Sequence, residues 1–584
     1  MSPAARTLAL AALLAAGCER NLAPVSTKPS SAPEAKASRS APPAGFGCVF
    51  TDVTTAAGLH FTHSTGGRGD KLLPETLGSG AAFLDFDGDR SLDIFLVSSM
   101  FWPGEAPAGS EPPRCALYRG RNGGVFEDVS VATKAGIALY GMGCAPADAD
   151  GDGDEDIFVT GVDRNALLVN DGGVFRDATE PSGLKTASWR DPAGHEHPVW
   201  STAAAWLDAD NDGDLDLIVT GYVQWSREGE IFTTLDGSTK AFTTPDRYRG
   251  LPPRLYLNRG DGTFEDATRT AGLEDLEGKS LGIALWDFDS NGLLDAVVAN
   301  DTRPNFLLRN LGGGRFEEIG LRSGIAYDET GRARAGMGID IAEISRDDAP
   351  FVAIGNFSDE PMSLYRYDRI ASSFTSEANR AGLGDATFTP LTFGLSFVDL
   401  DLDSALDLVV VNGHIEPDVA LAFPGHTHAQ SAQAFRGRGD GTFEEATASL
   451  GDDFSRKRVG RGLAAGDIDG DGDLDLLMTA NGGPTVLLRN DRAPAPANHF
   501  LRVRLTGKGK NTRGIGATVR LTTIGKTQMR LASTGSSYLS QSEPVLTFGL
   551  GSATSVDKLE VRWPTGQTQV VPVPAVDRTI EIRE

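Results

Sequence analysis

Asp148-Ala149-Asp150-Gly151-Asp152-Gly153-Asp154-Glu155-Asp156 runs straight into Ile157-Phe158-Val159. Carboxylates stand at positions 1, 3, 5 and 9 of this stretch, and an apolar run follows at once. A block of like charge ordinarily makes a solvated face or a disordered tail. Here the strand-like segment behind it can pack only if something neutralises the acids. The spacing returns at Asp85/Asp87/Asp89/Asp93, Asp208/Asp210/Asp212/Asp216, Asp287/Asp289/Asn291/Asp295, Asp399/Asp401/Asp403/Asp407 and Asp467/Asp469/Asp471/Asp475. In a seventh place, Glu343-Ile344-Ser345-Arg346-Asp347, the spacing survives but most of the oxygens are gone. Successive first positions lie 56 to 79 residues apart, which suits a repeated four-stranded unit with variable loops.

Oxygen ligands at positions 1, 3 and 5 of a tight loop converge on one point, the ligand order of a calcium loop. The absence of Cys and His from the pattern argues for calcium over zinc or copper. Position 7 is Ser91, Asp154, Asp214, Leu293, Ala405 and Asp473, so it is expected to contribute its backbone carbonyl. Position 9 is Asp in all six good copies and is expected to contribute a side chain. An EF-hand would need a Glu at position 12 between two helices. Position 12 is Leu96, Val159, Val219, Val298, Val410 and Met478, so the loop joins strands. Position 6, where a sharp turn favours Gly, is Gly153, Gly213, Gly292 and Gly472, but Arg90 and Ser404 in the other two. A side chain at positive φ costs on the order of 1 kcal/mol, so those two loops are expected to bind more weakly. About six calcium ions are expected, with the seventh place metal-free.

A second motif, Gly-x-Phe-x-Asp-Val/Ala-Thr, marks the other end of each unit. Its copies begin at Phe126, Phe175, Phe264, Phe316, Phe374 and Phe443, and a seventh, Phe50-Thr51-Asp52-Val53-Thr54, precedes the first Asp cluster. None follows the last cluster. A closed ring explains this offset, because the N-terminal strand can complete the last unit and remove the free sheet edges. The expected fold is all-β: a seven-bladed β-propeller over residues 48–492, then a small β-sandwich-like domain over 498–584. In the latter, Leu501-x-Val503-x-Leu505, Val519-x-Leu521, Leu559-x-Val561-x-Trp563 and Ile580-x-Ile582 alternate with period 2. Arg502, Arg504, Arg520 and Arg562 fall on the opposite faces, as a solvated surface or as contacts for an anionic partner.

The Asp repeats resemble the FG-GAP/VCBS repeats of integrin α-subunit propellers and bacterial surface proteins. Ala57-Gly58-Leu59-His60-Phe61-Thr62-His63, Leu73-Pro74-Glu75-Thr76-Leu77-Gly78-Ser79-Gly80 and Val411-Asn412-Gly413-His414-Ile415 resemble the cartilage acidic protein family. Asn498-His499-Phe500, Gly514-Ile515-Gly516-Ala517, Gly535-Ser536-Ser537-Tyr538-Leu539-Ser540-Gln541, Phe548-Gly549-Leu550-Gly551 and Trp563-Pro564-Thr565-Gly566 resemble an ASPIC/UnbV domain. The resemblance covers the chain from residue 48 onward. It implies calcium binding and an extracytoplasmic interaction role, and it names no ligand.

The chain has 584 residues and a formal net charge of -26, which disfavours nucleic acid and anionic membrane surfaces. Residues 1–18 read as an export signal: Arg6, then an apolar stretch from Leu8 to Ala16 too short to span a bilayer, then Gly17-Cys18. Small residues before a Cys resemble a lipobox, although Ala15 stands where Leu is usual. That resemblance implies lipidation of Cys18 and an outer-membrane lipoprotein at the periplasmic or cell-surface face; a plain secretory signal is the alternative. Residues 19–46, rich in Pro, Ser, Ala and Lys, are expected to form a disordered tether. Cys48, Cys115 and Cys144 allow one disulfide, with Cys115–Cys144 favoured, or three buried thiols.

No Gly-x-Ser-x-Gly elbow and no His-Glu-x-x-His occurs. Gly278-Lys279-Ser280 and Gly525-Lys526-Thr527 echo the end of a P-loop, but the Gly five residues before is Leu273 or Arg520. His195-Glu196-His197 and His426-Thr427-His428 are His-x-His pairs in Pro/Gly-containing loops, able to start a transition-metal site. His60 and His63 read as structural histidines. Trp225, Phe232, Phe242 and Tyr248, in a long insertion from Tyr222 to Arg254, are either interface anchors or a small local core. Two function classes follow. One is a non-catalytic scaffold for adhesion or recognition of a protein or glycan ligand at the cell surface. The other is a polysaccharide-active lyase or hydrolase, which would need a basic residue facing substrate in the central funnel.

Overall fold

The computed structural model describes residues 45–121, 123–492 and 498–584. The expected export signal, the expected lipidation site Cys18 and the expected tether up to residue 44 lie outside the described residues. Phe46 is buried and its N–H donates to Ser449 Oγ at 3.0 Å.

Each Asp loop links the first and second strands of a four-stranded antiparallel sheet. Among the described residues, seven such sheets lie between Cys48 and Arg492. Six of them open on Ala81–Leu84, Gly141–Ala147, Ser201–Leu207, Ser280–Trp286, Gly336–Glu343 and Thr392–Val398, and each runs outward through the next three main strands in sequence order. The seventh contains Gly460–Gly466, Asp475–Ala480 and Val486–Arg492, and its outer strand is Cys48–Asp52 from the other end of the chain. Phe50 lies opposite Asn490 in that antiparallel pairing. The surplus N-terminal copy of the Phe motif therefore closes the ring, as its offset in sequence implied. The first strand of each sheet contacts the first strand of the next, and the seventh contacts the first. The result is a closed, propeller-like β fold.

The apolar run behind each Asp loop is the second strand of its sheet. Asp156–Gly161, Asp216–Gly221 and Asp475–Ala480 are buried along their whole length. Sheets on either side cover both faces of these strands, which is why they read as continuous hydrophobic runs rather than as alternating ones.

The C-terminal region forms a three-stranded and a four-stranded sheet around one core of Leu501, Val503, Val519, Leu521, Leu559, Val561 and Trp563. The period-2 positions picked from sequence are the residues of this core. One stretch leaves it. Between Lys526–Leu531 and Leu546–Gly551, residues 534–543 run down the centre of the ring and bond to its first strands. Thr534 Oγ1 accepts from the Trp206 N–H at 2.7 Å, and Ser537 exchanges two backbone hydrogen bonds with Ile339. The Gln541 N–H donates to the Ala81 carbonyl, and Glu543 N–H to that of Ala465. A Cβ at Gly80 would lie 2.2 Å from the Leu539 carbonyl oxygen, so only glycine lets the segment pass there. Tyr538, fully buried, fills the middle and packs edge-on against Phe393 at 4.8 Å. The described residues accordingly form one compact unit.

The structure corrects the cysteine expectation. Cys115 and Cys144 are both free and buried, as is Cys48. Cys115 and Cys144 share an apolar cluster with Leu117, Val159 and Leu168. Each packs there as a small hydrophobe, and burial pushes both thiols well up in pKa, which suppresses the reactive thiolate.

Candidate metal centres

Six loops share one hydrogen-bonding plan. The position-1 carboxylate accepts backbone N–H groups from positions 5 and 6: Asp148 takes Asp152 at 3.1 Å and Gly153 at 2.9 Å. Asp208, Asp287, Asp399 and Asp467 do the same within their own loops. Asp85 accepts the position-6 N–H, that of Arg90, at 3.2 Å. Position 6 has positive φ throughout: 103° at Gly153, 95° at Gly213, 92° at Gly292 and 96° at Gly472, but also 73° at Arg90 and 80° at Ser404. The two non-glycine copies thus adopt the strained conformation that the spacing implied.

The position-9 carboxylate is buried in all six loops, at no more than 1% exposure. Asp156 Oδ2 accepts the Ala149 N–H at 2.9 Å and its Oδ1 the Asn170 N–H at 2.7 Å, so it ties the loop to the third strand. Desolvation by burial is the main reason that Asp93, Asp156, Asp216 and Asp295 are pushed up to about 8, with the neighbouring carboxylates adding to it. Backbone N–H donors pull the other way and do not offset it. These acids are costly to keep ionised without a positive charge among them.

Oxygens of Asp85, Asp87 and Asp93 lie within 4.8 Å of one another, as do those of Asp148, Asp150 and Asp156. The same holds for Asp208, Asp210 and Asp212, for Asp287, Asp289 and Asp295, and for Asp399, Asp401 and Asp407. Converging all-oxygen carboxylate sets at this spacing fit a hard divalent cation. The loop at Asp467 has the same plan, with Asp475 Oδ2 accepting from Ile468 at 2.8 Å.

Position 5 differs from the other three in exposure. Asp89, Asp152, Asp212, Asn291 and Asp471 are exposed, and Asp403 is half-buried. In the first loop the grouped oxygens are those of positions 1, 3 and 9, and Asp89 stands outside them. The reason is local: the position-5 oxygen caps the turn. Asp89 Oδ1 accepts the Ser91 N–H at 2.8 Å, Asp152 Oδ1 the Asp154 N–H at 2.9 Å, and Asp471 Oδ1 the Asp473 N–H at 3.1 Å. Asp89 and Asp471 therefore sit at the solvent-facing lip of their loops, and the buried part of each site is built by positions 1, 3 and 9. The third loop is the exception, with Asp212 in the converging set in place of Asp216.

In the seventh place Phe351 occupies position 9 and is fully buried, while Arg369 and Arg520 both lie 3.6 Å from Glu343 Oε1. Asp347 is bonded there by Ser345 and Arg366. Arginine fills the electrostatic role in that sheet.

Two features were not read from the sequence. Asn170, Asn258 and Asn310 end third strands and Asn490 lies two residues before the end of another, and each Nδ2 donates to a position-2 carbonyl of the preceding sheet's loop: Phe86, Ala149, Ala209 and Leu400. The signal was a recurrent Leu-x-Asn, with Tyr256 in place of the Leu before Asn258. The second is the partner of the C-terminal arginines. Arg502 Nη1 lies 2.8 Å from Asp467 Oδ2 and Arg504 Nη1 3.8 Å from Asp85 Oδ2. Arg513 reaches Glu155 at 3.1 Å, and Thr512 Oγ1 donates to Asp148 at 2.6 Å. Arg520 faces Glu343, so these arginines are docked on the protein's own acidic loops, whereas Arg562 is exposed.

The remaining candidates disperse. Lys279 is buried with Nζ donating to the Pro245 carbonyl, and Gly525-Lys526 turns a hairpin, so neither forms a phosphate cradle. His63 is buried and accepts from the Gly482 N–H; burial lowers it to about 3. His426 pairs with Asp359 at 3.1 Å, while His428 offers its backbone carbonyl to the His414 N–H. Of the insertion aromatics, Trp225 is buried against Trp102 and Trp200, whereas Phe232 is 62 % exposed. Arg461, the basic residue at the ring's centre, is fully buried and donates to the carbonyls of Thr76, Gly413 and Gly460.

An FG-GAP-like repeat model matches residues 85–159, 148–219 and 411–478, and an ASPIC and UnbV model matches residues 507–584. The chain carries FG-GAP-like repeats and an ASPIC and UnbV domain. It is similar to cartilage acidic protein 1 of Homo sapiens, 26% identical over 332 residues that make up 55% of this chain and 46% of the relative. Cartilage acidic protein 1 of Xenopus tropicalis is 27% identical over 315 residues, 53% of this chain and 45% of the relative. The chain thus spans about half the length of the curated relatives it matches. Among solved structures, an Agrocybe aegerita lectin that recognises non-reducing terminal N-acetylglucosamine aligns at 14% identity and a TM-score of 0.33, over 70% of this chain and 87% of that one. The V. cholerae biofilm matrix protein Bap1 aligns at 11% identity and 0.27, over 88% and 74%. Likeness at these scores says nothing about what the FG-GAP-like ring binds. Among the described residues, no helix is long and apolar enough to cross a membrane.

Proposed function

We propose that this protein is an exported, non-catalytic calcium-binding scaffold that recognises a protein or glycan ligand at the cell surface. The observation that carries the reading is the repetition of one all-oxygen loop geometry on one rim of a closed ring. Asp or Asn at positions 1, 3, 5 and 9 of six loops would hold about six calcium ions, with position 5 closing each site from the solvent side, and the loop at Glu343 would hold none. With calcium bound, the carboxylates of each loop would be neutralised at the places where their burial is most costly. A rigid rim is a preorganised surface and lowers the ordering entropy of binding. Lipidation at Cys18 would hold the scaffold at the outer membrane.

The alternative, a polysaccharide-active enzyme with its site in the central funnel, finds no support there, because Tyr538 occupies the middle and Arg461 is bound to backbone carbonyls. A glycan array and a pull-down of surface partners, each with calcium and with chelator, test the reading alongside a screen for cleavage of acidic polysaccharides. Calcium-dependent capture without turnover is expected. Robust turnover lost on mutating one residue, with calcium content unchanged, would overturn it.

A further inference from the structure

Between the last strand of the second sheet and the first of the third, the chain makes a separate hairpin, Ser188–Arg190 against Glu196–Pro198, with Trp189 opposite His197. Its turn, Asp191-Pro192-Ala193-Gly194-His195, is tight. The Gly194 N–H donates to the Asp191 carbonyl at 2.9 Å, the Asp191 N–H to the His195 carbonyl at 3.0 Å, and Gly194 has φ 89°. Pro early in the turn and a left-handed Gly late in it lock this geometry. His195 and His197, two residues apart, emerge on one face of the extended chain. The Asp191 carboxylate lies between them: its Oδ2 is 2.9 Å from His195 Nδ1 and 3.4 Å from His197 Nε2, while its Oδ1 accepts the His195 N–H at 2.8 Å. Trp189 stacks on the His197 ring at 4.7 Å and fixes its plane.

Two imidazole nitrogens lie within 3.4 Å of one carboxylate oxygen here, a donor set different in type from the all-oxygen loops. Around a four-coordinate ion with bonds of about 2.0 to 2.1 Å, neighbouring ligand atoms sit roughly 3.3 Å apart. The two separations to Asp191 Oδ2 bracket that value. Imidazole with a single carboxylate favours zinc or copper over calcium, so the chain would sort two kinds of cation between two kinds of site. His195 is 74% exposed in its side chain, so solvent can supply a fourth donor.

We propose that Asp191, His195 and His197 form a binding site for a divalent transition-metal ion, with zinc as the fitting ion and one coordination position open. The test uses the full chain in saturating calcium, which occupies the acidic loops, and titrates zinc by calorimetry. The wild type is expected to bind zinc with at least one equivalent assignable to the hairpin. His195 is largely exposed and its side chain bonds only to Asp191, so H195Q leaves the fold intact, as an unchanged calcium-dependent melting curve would verify. H195Q is expected to weaken that equivalent by about tenfold or more, and H197Q and D191N to do likewise. No zinc uptake by the wild type, or the same stoichiometry and affinity in H195Q, would overturn the proposal.

Discussion

Glu75 shows at the scale of one residue how burial sets protonation. It lies in the Leu73–Thr76 turn at 6% exposure, and its Oε1 has no hydrogen-bond partner. Desolvation, helped by Asp70 and Glu230, raises it to about 7, against a partial offset from the Leu72 backbone. A carboxyl whose folded pKa exceeds its unfolded one stabilises the fold at low pH and loses that contribution as pH rises through the folded value. Wild-type stability should therefore fall between about pH 5 and 8 by an amount on the order of 3 kcal/mol from this group. E75Q should remove that slope and melt above the wild type at pH 8. Melting temperatures across this range at fixed calcium would check it; a slope unchanged by E75Q would refute it. The same scale explains a partial miss: an acid inside Leu-Pro-Glu-Thr-Leu carries no sequence mark of burial. Asp89 and Asp471 show the converse, since their spacing matches that of the buried acids while their side chains face water.

The loop is the next scale, and the six loops are not equivalent. In the first and sixth sheets, position 6 is Arg90 or Ser404 at positive φ, and an arginine of the third strand lies against the carboxylates. Arg119 reaches Asp87 at 2.8 Å, and Arg436 reaches Asp401 at 3.1 Å and Asp403 at 2.7 Å. Leu402, at position 4 of the loop at Asp399, also has φ 58°. S404G should stabilise the calcium-loaded protein by about 1 kcal/mol, less the entropy that glycine adds to the unfolded chain. Chemical denaturation would measure it. R436Q removes a cation that competes for the same carboxylates, so calcium should bind the loop at Asp399 severalfold more tightly, seen by calorimetry as a shift in one class of sites. An unchanged isotherm would show that Arg436 moves aside at no cost. The Gly preference at position 6 was legible in the spacing. The arginines were not, because they come from a strand about 30 residues further along the chain.

For the whole molecule, the decisive feature is the segment 534–543 threaded through the ring. It bonds to first strands of opposite sheets, and the arginines of its parent sheets hold the acidic rim from above. The ring and the C-terminal region should therefore unfold in a single calorimetric transition whose midpoint rises with free calcium, since a ligand that binds only the folded state stabilises it by mass action. Y538A removes a fully buried ring from the centre and should cost about 3 to 5 kcal/mol while keeping one transition. Two separated transitions in the wild type, or a midpoint indifferent to chelator, would break this account.

What the chain determined by itself was everything periodic. Acid spacing, the apolar strands behind it, the offset of the Phe motif and the period-2 core of the C-terminal region are local patterns, and local backbone geometry converts them directly into loops, strands and a closed ring. Tertiary structure decided what depends on distance in the sequence: that Cys115 and Cys144 stay thiols within one apolar cluster, that Arg502 and Arg504 face Asp467 and Asp85, and that Tyr538 fills the ring's centre. It also decided which acids of each loop are buried. The physical reason is the same in each case: a side chain's charge state and partners follow from what surrounds it after packing, and those neighbours come from other turns of the ring.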